Sequence, residues 1–115
     1  MKTMKVSQFG LGFKPEKNLN ELTFNLPSDT EILSVSVENK PDGEHVLWFT
    51  FIAPAEAYTH RDSPFDNYPW NEFHFFMVNC NYTDINISTH KYIGNIDIDD
   101  STYAVFYKVG EVIKK

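Results

Sequence analysis

The side chains able to do covalent or acid–base chemistry are few, and they are badly spaced for it. The chain has one cysteine, Cys80, and four histidines, His45, His60, His74 and His90. A thiol nucleophile needs its imidazole base within hydrogen-bond reach. Cys80 and His74 are six residues apart, which puts them on one face of an extended strand but about 20 Å apart at ~3.3 Å per residue. No two histidines have the spacing of a zinc-binding pair on a helix or a strand. Asp97, Asp99 and Asp100 offer carboxylates to a hard cation, with Asp97 and Asp99 on one strand face. The glycine-centred spacing of a calcium loop is missing, so the three read as a charged hairpin turn. Gly10-Leu11-Gly12 lacks the third glycine and the following helix of a phosphate cradle. The expectation is a non-enzyme with no catalytic residues, metal or cofactor.

One segment carries binding chemistry instead. The long loop from Pro54 to Asn71 holds Tyr58, Phe65, Tyr68 and Trp70, with His60, Arg61, Asp62, Asp66 and Asn67 between them. Loops of this length are uncommon in a small domain and often functional. Aromatic rings interleaved with Arg and Asp or Asn give rigid contact area together with hydrogen-bond specificity. A flat ligand can stack on such rings while Arg61 meets an anionic group. These nine residues are the candidate binding site. The competing reading makes the loop a lid whose rings plug the open end of the domain.

Elements that position this loop follow from a period of two in the apolar residues, the pattern of strands with one buried face. Phe9, Leu11 and Phe13 alternate with Gly10 and Gly12, which suggest a bend or bulge. Leu22, Phe24 and Leu26 lead to Pro27, and Leu33, Val35 and Val37 alternate with polar residues. Pro41-Asp42-Gly43 supplies a hairpin turn. The run from His45 to Ile52 is apolar on both faces and predicts a central strand, buried from two sides or packed on a partner subunit. Phe73 to Val78 is a second such run. Tyr92 to Ile98 and Tyr103 to Val109 form a last pair around the polar turn Asp99-Asp100-Ser101. A short helix fits only at Pro54 to Tyr58. The fold class is all-β: a small antiparallel β-sandwich or open barrel of about seven strands.

At 115 residues the chain has room for a single domain, residues 1–115. Its 42% hydrophobic content supports a core, and its 16% aromatic content buries much area in few residues. Between Pro41 and Tyr107, ten carboxylates face two cations, Arg61 and Lys91; this local −8 leaves +2 for the rest of a chain whose net charge is −6. Such a field repels phosphate backbones and argues against nucleic-acid partners. One cysteine allows no internal disulfide, and no apolar run follows the basic start. The expected setting is the reducing cytoplasm, away from membranes. Asn81-Tyr82-Thr83 and Asn86-Ile87-Ser88 then match glycosylation acceptors by chance.

The order of short motifs resembles a widespread family of small tailed-phage proteins of unknown function. It runs from Glu31-Ile32-Leu33-Ser34-Val35-Ser36-Val37 through Leu47-Trp48 and Phe73-His74-Phe75 to Lys91-Tyr92-Ile93-Gly94 and a closing aromatic strand. The likeness spans residues 4 to 108. The sequence departs from it in the long aromatic stretch before Asn71 and at Asn79-Cys80-Asn81-Tyr82-Thr83-Asp84, in place of a Gly-rich turn. The resemblance implies a phage accessory protein in the cytoplasm of an infected bacterial host, and it supplies no catalytic residues. Two functional classes follow. One is a counter-defence or host-takeover factor that docks on a host protein and inhibits it. The other is a homo-oligomeric sequestrant of a small signalling nucleotide, for which Lys91, Lys108 and Arg61 of neighbouring subunits would have to converge. A minor virion structural role is a third possibility.

Overall fold

The computed structural model describes residues 3–15, 19–58, 69–81 and 89–112. Alternating apolar residues become seven strands: β1 (Met4–Phe13), β2 (Leu19–Pro27), β3 (Glu31–Asn39), β4 (His45–Pro54), β5 (Trp70–Asn79), β6 (Lys91–Ile98) and β7 (Ser101–Val112). They pair as two antiparallel sheets, a three-stranded one in the order β1-β4-β3 and a four-stranded one in the order β2-β5-β7-β6. Of the two architectures expected, sandwich or open barrel, the two sheets make the sandwich, with seven strands. A 3₁₀ helix, Ala55–Tyr58, fills the stretch where a short helix was expected.

The inner faces meet in one aromatic core. Leu47, Phe49 and Phe51 of β4 face Phe73, Phe75 and Met77 of β5, all buried, with Val105 and Tyr107 of β7 beside them. The rings of Phe49 and Phe75 join the sheets at a centroid distance of 4.6 Å, and Phe9 stacks on Phe49 at 5.1 Å. Burying one such side chain contributes about 1.5–3 kcal/mol, so a few rings hold a small domain together.

Turn chemistry fixes the register. Gly43 adopts φ 87°, the Lys40 N–H donates to the Glu44 carbonyl, and the Glu44 N–H donates to the Asp42 carboxylate, closing the β3–β4 hairpin where expected. Asp99 at φ 53° turns β6 into β7, with Ile98 opposite Ser101.

Three local expectations are corrected. β1 pairs with β4 over ten residues without a register shift, so Gly10 and Gly12 mark no bulge. A bulge lies instead in β3 between Ile32 and Ser34, which buries Ile32 and turns Leu33 out to 46% exposure. β4 is central in its sheet, yet only one of its faces is fully buried. On the other face, Val46, Thr50 and Ile52 are partly covered, and Trp48 is 36% exposed. The second run, in β5, is closer to two-sided burial. Val78 is buried, and Phe76 on the same outer face takes the His90 ring edge-on at 4.4 Å.

Candidate functional site

The pairing register gathers the strand ends at two poles. At one pole β1, β3, β5 and β6 begin, while β2, β4 and β7 end. Both described ends of the long loop are at this pole. On one side, the Ala55 N–H donates to the Thr3 carbonyl as the 3₁₀ helix leaves β4, and Tyr58 closes that helix. On the other side, the Ser28 N–H donates to the Pro69 carbonyl, and Trp70 opens β5 opposite Pro27, half-buried. The loop therefore leaves from the three-stranded sheet and returns to the four-stranded one. Of the nine candidate residues, His60, Arg61, Asp62, Phe65, Asp66, Asn67 and Tyr68 lie outside the described residues.

Return of the chain into β5 is held by polar contacts. The Ser28 hydroxyl meets the Asn71 side-chain carbonyl, and Asn71 Nδ2 donates to the Gly110 carbonyl at 3.1 Å. Thr30 is buried in the same turn, and its Oγ1 has no hydrogen-bond partner among the described residues. Buried hydroxyls normally find one.

Beside the loop ends, the outer face of the three-stranded sheet is apolar. The register sets Val6 opposite Ile52, and Met4 opposite Pro54. Val6 is 62% exposed, Met4 and Leu33 are exposed as well, and Glu31 flanks Ile52 on the β3 side. Further from the pole, the Trp48 indole lies over Gly10, and its Nε1–H donates to Glu38 Oε1 at 3.0 Å. Among the described residues, Met4, Val6 and Leu33 are not part of the core cluster. Patches of this kind mark interaction surfaces.

On the four-stranded sheet, the same pole carries a cleft of about 670 Å³. It is lined by Glu72, His74, Thr89, Lys91, Lys108 and Glu111, with Tyr107, Val109 and Gly110. His74 is fixed from two sides, by Thr23 Oγ1 at 3.2 Å from Nδ1 and by Glu72 Oε2 at 3.5 Å from Nε2. Lys91 reaches Glu31 of the other sheet at 3.5 Å, an exposed pair that water screens. Lys91 and Lys108 thus line one cleft within a single chain. Two ammonium groups and two carboxylates leave the lining balanced, without the cationic excess of a dedicated phosphate site.

The reactive side chains are dispersed. Cys80 is exposed in the turn after β5, where its N–H donates to the Thr102 carbonyl. Asp97 accepts from the Thr102 hydroxyl at 2.6 Å, a cross-strand bond beside the hairpin turn. Among the described residues no three His, Cys, Asp or Glu groups are placed to hold a metal ion, and no helix is long and apolar enough to cross a membrane. Compared with protein-family models, curated proteins and solved structures, the chain matches none.

Proposed function

We propose that this chain is a non-enzymatic binding protein of the phage-accessory kind, one that docks on a host protein and inhibits it in the cytoplasm of the infected cell. The observation that carries the reading is convergence at one pole. Both ends of the aromatic loop and the exposed Met4, Val6 and Leu33 share it, and none of these three belongs to the core cluster of the described residues. Loops grouped at one end of a rigid sandwich are where such folds carry recognition. The acidic field favours a basic partner surface, including one that normally receives nucleic acid.

A second reading is sequestration of a small anionic ligand such as a nucleotide. It is favoured by the cleft with His74, Lys91 and Lys108, whose volume falls within the range of small-molecule sites. The balanced lining places it second.

One purification separates the two. The chain is recovered from host cells under mild conditions and analysed for what accompanies it. A stoichiometric host protein, lost when Tyr58, Phe65, Tyr68 and Trp70 are changed to Ala in a variant that stays folded, supports docking. A retained nucleotide, lost in Lys91→Glu/Lys108→Glu, supports sequestration. Recovery of the chain with neither would remove both readings.

A further inference from the structure

Trp48 forms a platform on the outer face of the three-stranded sheet. A Cβ at Gly10 would stand 2.9 Å from Cη2 and Cζ3 of the indole and 3.0 Å from Cε3, so one face of the ring lies on that glycine. The ring's edge is fixed by the Nε1–H bond to Glu38 Oε1. Its other face is turned to solvent, and the residue is 36% exposed. Shielding a strand glycine accounts for the covered face, and any aromatic ring would do that. It accounts neither for an indole tied to a carboxylate nor for the open face.

The surroundings of the ring are neutral on one side and acidic on the other. The register places Gln8, Thr50, Ser34 and Ser36 beside Trp48 on this face, all uncharged. Glu38 gives one oxygen to the indole, and a carboxylate has a second oxygen with further acceptor sites. Two residues further along β1, Gly12 lines a cleft of about 420 Å³ in which the carboxylates of Asp42 and Glu44 outnumber the one ammonium, Lys14. A Cβ at Gly12 would meet nothing within 4 Å, which leaves the approach from the ring bare.

We propose that Trp48 and Glu38 anchor an arginine side chain of a basic partner segment, an inference that rests on the docking reading above. The guanidinium stacks on the open face of the indole, where the ring quadrupole attracts a cation. Its N–H groups donate to the second Glu38 oxygen at the ring's edge. Charge complementarity selects this occupant: the chain carries −6, and its carboxylates flank the platform. Arginine fits better than lysine, because a planar fork stacks and pairs at once and a compact ammonium does not. Tryptophan and arginine are also the side chains in which interface hot spots are enriched. A saccharide could stack on the same ring, but the negative charge beside it would contribute nothing to its selection.

The test is titration of the full chain with hexa-arginine and, separately, with hexalysine at about 0.15 M salt, where distant charges are screened. The Trp48 indole N–H is followed by NMR. It should move with hexa-arginine, whose affinity should exceed that of hexalysine about three- to fivefold. Glu38→Gln keeps an acceptor for the indole, so circular dichroism should stay unchanged while the preference for arginine disappears. Equal affinities for the two peptides, an unmoved Trp48 N–H, or a preference that survives Glu38→Gln overturns the proposal. So does a Trp48 response to maltose as large as that to hexa-arginine. Capture of a host protein is a separate readout. A host protein that stays bound to Glu38→Gln sinks the anchor and leaves docking standing; arginine preference in a chain that captures no host protein upholds the anchor and sinks docking.

Discussion

Trp48 of β4 lies flat against Gly10 of β1: a Cβ added at Gly10 would stand 2.9 Å from both Cη2 and Cζ3 of the indole. Glycine is therefore required at position 10 by a neighbour's bulk, since φ is not positive there. The ring is further held by its bond to Glu38. Gly10→Ala is expected to displace the indole and cost about 1–2 kcal/mol, as overpacking does. In a Trp70→Phe background, the remaining Trp48 emission should shift to the red. Unchanged emission with unchanged stability would show that the ring does not rest on Gly10.

A second glycine contact lines the cleft. A Cβ at Gly110 would meet His74 Nε2 at 2.7 Å and the Glu72 backbone carbonyl at 3.2 Å. Moving the imidazole aside gives up its contact with the Thr23 hydroxyl at Nδ1 and its approach to Glu72 at Nε2. Gly110→Ala should lower the urea midpoint by the equivalent of about 1–3 kcal/mol. Gly12→Ala, where the space is open, should leave the midpoint nearly unchanged.

How far the sequence reveals this molecule depends on whether local pattern or long-range contact decides each feature. Strand positions, the Pro41-Asp42-Gly43 turn and the stop at Pro27 follow from period and turn chemistry, which are local. The β3 bulge is not local: Leu33 fits the alternation with Val35 and Val37, but pairing with β4 buries Ile32 and turns Leu33 out. The Trp48–Gly10 contact is hidden for the same reason, since 38 positions separate two residues that meet across neighbouring strands. Of the candidate site, the aromatic loop was legible as composition. The cleft was not, because Lys91 and Lys108 come together only through the β6–β7 hairpin with His74 of β5 beside them. A Trp facing a glycine-containing strand, and lysines near both ends of a predicted hairpin, were the available signals.

The core should be intolerant at its centre. Phe49 and Phe75 are fully buried, from different sheets, and in ring contact. Phe75→Ala should cost about 3–5 kcal/mol, a large part of the ~5–15 kcal/mol that holds a small domain folded. Loss of cooperative unfolding would be the extreme outcome. A loss below about 1 kcal/mol would mean that Phe75 is not central to the packing.

The β6–β7 turn offers a test of backbone strain. Asp99 has φ 53°, where an aspartate is tolerated and a β-branched residue is not. Asp99→Val should destabilise the hairpin by about 1–2 kcal/mol. Asp99→Gly should be neutral or gain a few tenths of a kcal/mol, easier access to positive φ being offset by a freer unfolded chain. Equal stabilities for Val and Gly would place this turn in another conformation.

Thr30 makes the least obvious case. It sits in the Ser28–Thr30 turn beside the loop's return, 7% exposed, with Oγ1 lacking a hydrogen-bond partner among the described residues. A buried hydroxyl without a partner costs about 1–3 kcal/mol relative to one that is satisfied, so a methyl group in its place removes that cost at nearly constant volume. Thr30→Val should therefore raise the thermal midpoint, by the equivalent of about 1 kcal/mol, against the usual direction for substitutions at buried positions. Thr30→Ala should not share the gain, because it leaves a void where the γ-methyl group packs. If Thr30→Val instead lowers the midpoint by a similar amount, the hydroxyl has a partner in solution, and the region of the pole beside Ser28 is where that partner should be sought.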